Sequence, residues 1–170
     1  MRAAREAHRS RSAAAHEQTE DDPFESNAAL SDLRRRIEDR LRRKRCDEAA
    51  SLIQSLAQET GGRAVADLAL NAGDRCRALG KHNAALNCYL AASRSDPVYE
   101  EPLSRLADVC IDSQDTELAV TYLERIARLQ RYRGDDRGAL RVLRRIATIA
   151  PYREDILAQL MNAQRTGRLD

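Results

Sequence analysis

Residues 66–99 read ADLALNAGDRCRALGKHNAALNCYLAASRSDPVY. Apolar and small side chains recur in it at three- and four-residue steps, the spacing of one helix face. Gly80 breaks the pattern once, and Ser95-Asp96-Pro97 closes it. Glycine suits a helix end, and proline cannot continue a helix. The stretch therefore predicts two helices, over about 64–79 and 82–95, joined by a turn too short for anything but antiparallel packing.

The same signature returns along the chain. Gly73, Cys76, Ala85 and Tyr89 have counterparts at Ala107, Cys110, Ala119 and Leu123, each 34 positions later. That period is the tetratricopeptide period, and here the chain resembles that family. With Ala66 as position one of a repeat, Gly73 and Ala85 fall on the family's small positions and Tyr89 on its aromatic. Ala92 falls on its alanine and Pro97 on its terminal proline, while Ala69 stands where the family has Trp. The resemblance implies that Gly73 and Ala85 mark a close helix crossing beside Tyr89. A second repeat begins at Glu100 and keeps Leu103, Leu106, Ala107, Ala119 and Leu123; a degenerate one begins near Leu30.

Working outward, Leu30, Leu33, Ile37 and Leu41 form an N-terminal stripe with Asn27 and Ser31 available as N-caps, and Ala49, Ile53 and Leu56 form the next. Gly61-Gly62 reads as its C-terminal stop. Further helices are expected over 99–112, 116–132, 136–150 and 152–166, giving about eight in all. The expected fold is all-α: antiparallel helix pairs stacked as a short right-handed solenoid over residues 27–170. Residues 1–26 are rich in Arg, Ala, Ser, His and Glu, with Phe24 their one large apolar residue, and read as a disordered tail.

The phase fails near the C-terminus. Ala139, Leu143, Ile146 and Pro151 look like the second helix of a pair, yet Ala139 comes only 20 residues after Ala119. Segment 116–132 thus fits two frames, as second helix of one pair and, through Leu123, Ile126 and Ala127, as first helix of the next. An altered packing angle or a local irregularity is expected there. The runs Gly134–Leu140 and Ala150–Asp155 also look similar to the bacterial transcriptional activator domain. That resemblance implies a helical-repeat module of regulators whose DNA-binding winged helix is a separate domain.

Composition bounds the function. Hydrophobic residues are 42% and aromatics 4%, so Ala and Leu build the core, as suits closely stacked helices. The net charge of +2, from 29 basic and 27 acidic residues, gives no global pull on nucleic acid. No run approaches the roughly 18 apolar residues of a membrane span, and the N-terminus lacks the apolar core of a secretory signal. Cys46, Cys76, Cys88 and Cys110 show no paired metal spacing and read as small buried thiols of a reducing cytoplasm. No nucleophile motif, P-loop or dinucleotide fingerprint occurs, and His8, His16 and His82 sit in no catalytic pattern. Neither an enzyme nor a cofactor or metal site is expected.

The expectation is a cytoplasmic scaffold or adaptor that binds another protein or peptide in a groove of stacked helices. The alternative is a regulatory module of a bacterial transcription or signalling system. On the repeat frame the groove receives Asp67, Leu70, Asp74 and Arg77, then Ser104, Asp108 and Ile111, then Glu124, Arg128 and Arg131. Its acidic middle and basic end favour a ligand of mixed or basic charge. A basic patch, Arg34, Arg35, Arg36, Arg40, Arg42, Arg43, Lys44 and Arg45, surrounds Leu33, Ile37 and Leu41, so it reads first as the solvated face of a helix. An acidic protein stands second for it, and nucleic acid or lipid last. Leu160 and Met161 on the last helix offer a surface for a homodimer.

Overall fold

The computed structural model describes residues 23–166, with side chains from Leu30 onward. Most of the expected tail, His8 and His16, and the residues from Gly167 on lie outside them. The chain divides at Leu33/Arg34 into two units, and only the opening turns of the first helix belong to the described part of the first. All described secondary structure is helical: α1 (Pro23–Arg42), α2 (Cys46–Glu59), α3 (Arg63–Ala78), α4 (His82–Ser95), α5 (Glu100–Asp112), α6 (Thr116–Tyr132), α7 (Asp136–Ile149) and α8 (Glu154–Thr166). The chain is an all-α helical repeat.

One boundary differs from expectation. Helix α1 is already helical at Pro23, the first described residue, which puts Asn27 and Ser31 inside it rather than at its cap. Gly61-Gly62 follows α2 as expected, with Gly61 at the C′ position after Thr60. That helix ends at Glu59 with Thr60 extended, and Gly62, at φ 102°, is the N-cap of α3. Its N–H donates to the carbonyl of Ser95 at 2.7 Å, which fastens the α2–α3 turn to the end of α4.

The core runs through the second unit as one cluster. Ile37, Ile53, Leu103, Leu106, Leu123 and Ile146 are its large fully buried aliphatics, and Tyr89 its one fully buried ring. Small residues set the spacing. A Cβ on Gly73 would lie 2.5 Å from Tyr89 Cε1, so α3 and α4 approach as closely as they do only because position 73 has no side chain. Cys46, Cys76 and Cys88 pack in the same layer, and all four thiols are free and buried. Burial and the Cys76 neighbour push the Cys46 thiol up to about 11.

One turn recurs and explains the broken phase. Arg45, Lys81, Asp115 and Asp135 each donate their N–H to the carbonyl five residues back, at 2.8–2.9 Å. The apex residues Lys44, Gly80, Gln114 and Gly134 all have positive φ, between 59° and 76°. Those apices lie 36, 34 and then only 20 residues apart. The proline turns, at Pro97 and Pro151, lie 54 apart, one period plus the same 20. Helix α6 is therefore entered and left by the same turn and packs closely on both α5 and α7. The helix itself is continuous from Thr116 to Tyr132. The irregularity is an added helix, and α6 carries no break along its length.

Candidate functional site

Sharing α6 between two partners builds a groove. Glu100, Glu101 and Ser104 of α5, Leu123, Ile126 and Gln130 of α6, and Arg141, Val142 and Arg145 of α7 line an open cleft of about 300 Å³. Leu123 and Ile126 are buried, so apolar atoms back the cleft and charge rims it. Gln130 donates to Glu100 Oε2 at 2.8 Å, and Arg133 binds the other oxygen of that carboxylate.

The charges on this side of the molecule are mostly paired across helices. Asp74 of α3 accepts from the Tyr89 hydroxyl at 2.7 Å and from Arg105 Nε of α5 at 3.0 Å, so one carboxylate ties three helices. Burial, followed by that hydrogen bond, raises the Tyr89 hydroxyl above its ordinary value. Arg77 pairs with Asp112, joining α3 to α5 again, and Arg145 pairs with Asp108, joining α7 to α5. Glu124 of α6 is held by Arg153 ahead of α8. Each pair is part exposed and contributes about 0–1 kcal/mol. Their consequence is electrostatic: they use up the charge that a ligand would otherwise meet.

The expected groove residues thus fall into different roles. Asp74, Arg77, Asp108 and Glu124 are engaged in these bridges, Asp67 pairs with Arg63 at 3.2 Å, and Leu70 is buried in the core. Ser104 lines the cleft. Ile111 is half-buried, while Arg128 and Arg131 are exposed. Each carboxylate of the acidic middle read from the sequence lies in an ion pair with an arginine. The sequence does carry a signal for the bridges. Their partners stand 31, 35 and 37 residues apart, close to one repeat, and a residue one repeat on is a spatial neighbour in a stacked array.

Around the basic patch, Glu38, Asp39 and Glu48 are interleaved with the arginines. Arg34 and Arg42 approach Glu38, Arg43 lies 3.2 Å from Asp39, Arg40 lies 3.0 Å from Glu48, and Arg45 pairs with Glu48 as well. Arg35, Arg36, Asp39 and Arg40 border a shallow open hollow of about 310 Å³. On α8, Leu160 is half-buried against the core, whereas Met161 is 70% exposed and Leu157 38%.

Among the described residues no group of His, Cys, Asp or Glu has the arrangement of a metal site, and no helix is long and apolar enough to cross a membrane. Residues 62–169 match the model of the bacterial transcriptional activator domain, from the N-cap of α3 to the end of the array. The chain belongs to the bacterial transcriptional activator domain family. No curated protein matches the sequence. Helices α1 and α2 precede the matched span. The three-helix α5–α6–α7 unit lies wholly inside it, so the groove is a feature of the activator domain and not of the flanking helices.

Proposed function

We propose that the chain is a regulatory module of a bacterial transcription system, acting in the cytoplasm by holding a protein partner. The observation that carries this reading is the family match over residues 62–169, which takes in six of the eight described helices. It favours the regulatory reading over a general-purpose adaptor, and it speaks for recognition in place of catalysis. The packing supports it physically. A groove preformed by α5, α6 and α7 loses little conformational entropy when a partner seats itself. We take the helix pairs to be tetratricopeptide-like, on the strength of Gly73, Ala85 and Tyr89, and residues 27–170 to be the working part, with 1–26 as a tail.

Transcript profiling of a deletion strain tests the proposal. The expected result is a change confined to a discrete gene set, restored by supplying the full chain. An unchanged transcript profile overturns it.

A further inference from the structure

We propose that the solvent face of α7 is a docking stripe for an acidic helix of a partner protein. Arg137, Arg141 and Arg144 stand at i, i+4 and i+7 and are exposed, on the side away from buried Ala139, Leu143 and Ile146. The stripe covers about 10 Å of helix, from 1.5 Å per residue. Among the described residues Arg137 and Arg144 make no ion pair, and Arg141 reaches Asp135 only at 4.0 Å.

The contrast with α1 is informative. There Glu38 and Asp39 sit four residues from Arg34, Arg42 and Arg43, so the helix offsets its own charge. In α7 the only acidic residue is Asp136 in the first turn, and arginine follows arginine at helical-neighbour spacing. Like charges so placed cost about 0.2–0.5 kcal/mol per pair. Elsewhere Arg77, Arg105, Arg133, Arg145 and Arg153 hold carboxylates, while Arg128 and Arg131 of α6 are exposed and, like Arg137 and Arg144, make no ion pair among the described residues. The α7 stripe therefore carries positive charge that the fold does not consume, and it borders the cleft through Arg141.

An acidic protein segment fits better than a nucleic acid. The stripe is short, the net charge is only +2, and Asp135 and Asp136 at its upper end would repel a polyanion that continued past it. Every cation is arginine, whose fork matches a carboxylate in two hydrogen bonds. Carboxylates at i, i+4 and i+7 of a partner helix would meet the three guanidinium groups in register. Tyr132, 92% exposed in the last turn of α6, lies ahead of the stripe in sequence, across the α6–α7 turn.

This inference rests on the partner-binding reading above, and its test separates the two. Fluorescence anisotropy of the full chain would use a labelled helical peptide of about 15 residues bearing glutamates at i, i+4 and i+7. An isomer of equal composition with scattered glutamates is the comparison. The striped peptide should bind at least about tenfold more tightly. Arg137→Gln with Arg144→Gln should remove that difference, while Arg42→Gln with Arg43→Gln on α1 should preserve it. Equal binding of the two peptides, no binding, or a DNA duplex bound more tightly through the same arginines overturns the inference. An unchanged transcript profile on deletion, with peptide binding intact, refutes the regulatory reading and leaves the stripe standing.

Discussion

Replacing Gly73 by Ala adds one carbon atom, and the structure says where it must go. The new Cβ would lie 2.5 Å from Tyr89 Cε1 and 2.7 Å from Cδ1, both inside any real carbon–carbon contact. The ring cannot swing away freely, because it is fully buried and its hydroxyl is held by Asp74 at 2.7 Å. In an open helix the same substitution would stabilise by about 1 kcal/mol through helix propensity. Overpacking costs about 1–3 kcal/mol, and two such clashes with a pinned ring place this site at the upper end. The net expectation is a loss of about 2 kcal/mol, a fall in melting temperature of about 4–8 °C for a chain of this size. Thermal unfolding followed by circular dichroism measures it. In a Tyr89→Val background the ring is gone, and Gly73→Ala should then stabilise by about 1 kcal/mol. A higher melting temperature for Gly73→Ala in the natural background would refute the packing account.

The recurring turn gives a paired prediction. Gln114→Gly should stabilise by about 1 kcal/mol, because glycine carries no penalty at φ 61°, and Gly134→Gln should destabilise by a similar amount at φ 76°. Urea denaturation of both variants checks the signs. Asp135 caps α7 by accepting the Gly138 N–H at 2.8 Å, so Asp135→Ala should cost about 1 kcal/mol. Gly138→Ala should also destabilise, since its Cβ would sit 2.1 Å from Asp135 Oδ2 and displace the cap; melting curves decide both. The four buried thiols should resist a thiol reagent in the native chain and all react in denaturant, read by absorbance. The pH sign follows from Cys46. Its folded value of about 11 lies above the ordinary 9.0, so between those limits the unfolded chain has lost a proton that the folded chain keeps. Stability should fall as pH rises through that window, and urea midpoints at pH 8 and pH 10 test it.

Much of the fold was legible because the period and the breakers agree. Gly80, Pro97 and Pro151 punctuate the chain where helices stop, and the apolar stripes between them fix which face is buried. The double role of 116–132 was legible too, since Leu123, Ile126 and Ala127 satisfy two frames and α6 packs on both neighbours. What escaped was local or long-range. The helical turn ahead of Asn27 was hidden by the low apolar content around it, and nothing in the pair Gly61-Gly62 showed that Gly62 also caps α3. The groove residues were assigned one at a time, each by its place in a repeat. Their neutralisation depends on partners a repeat away, as Asp74 with Arg105 and Asp108 with Arg145 show. The α7 stripe drew no notice in the sequence because Arg137, Arg141 and Arg144 look ordinary until the carboxylate partners of Arg77, Arg105, Arg133, Arg145 and Arg153 are known.

The central functional claim is recognition of a transcription partner, and chromatin immunoprecipitation of the tagged full chain addresses it most directly. The account predicts enrichment at a limited number of promoter regions, reached through a bound protein. The purified chain alone should correspondingly fail to retard the same promoter fragments. Absence of enrichment over an untagged control would contradict it.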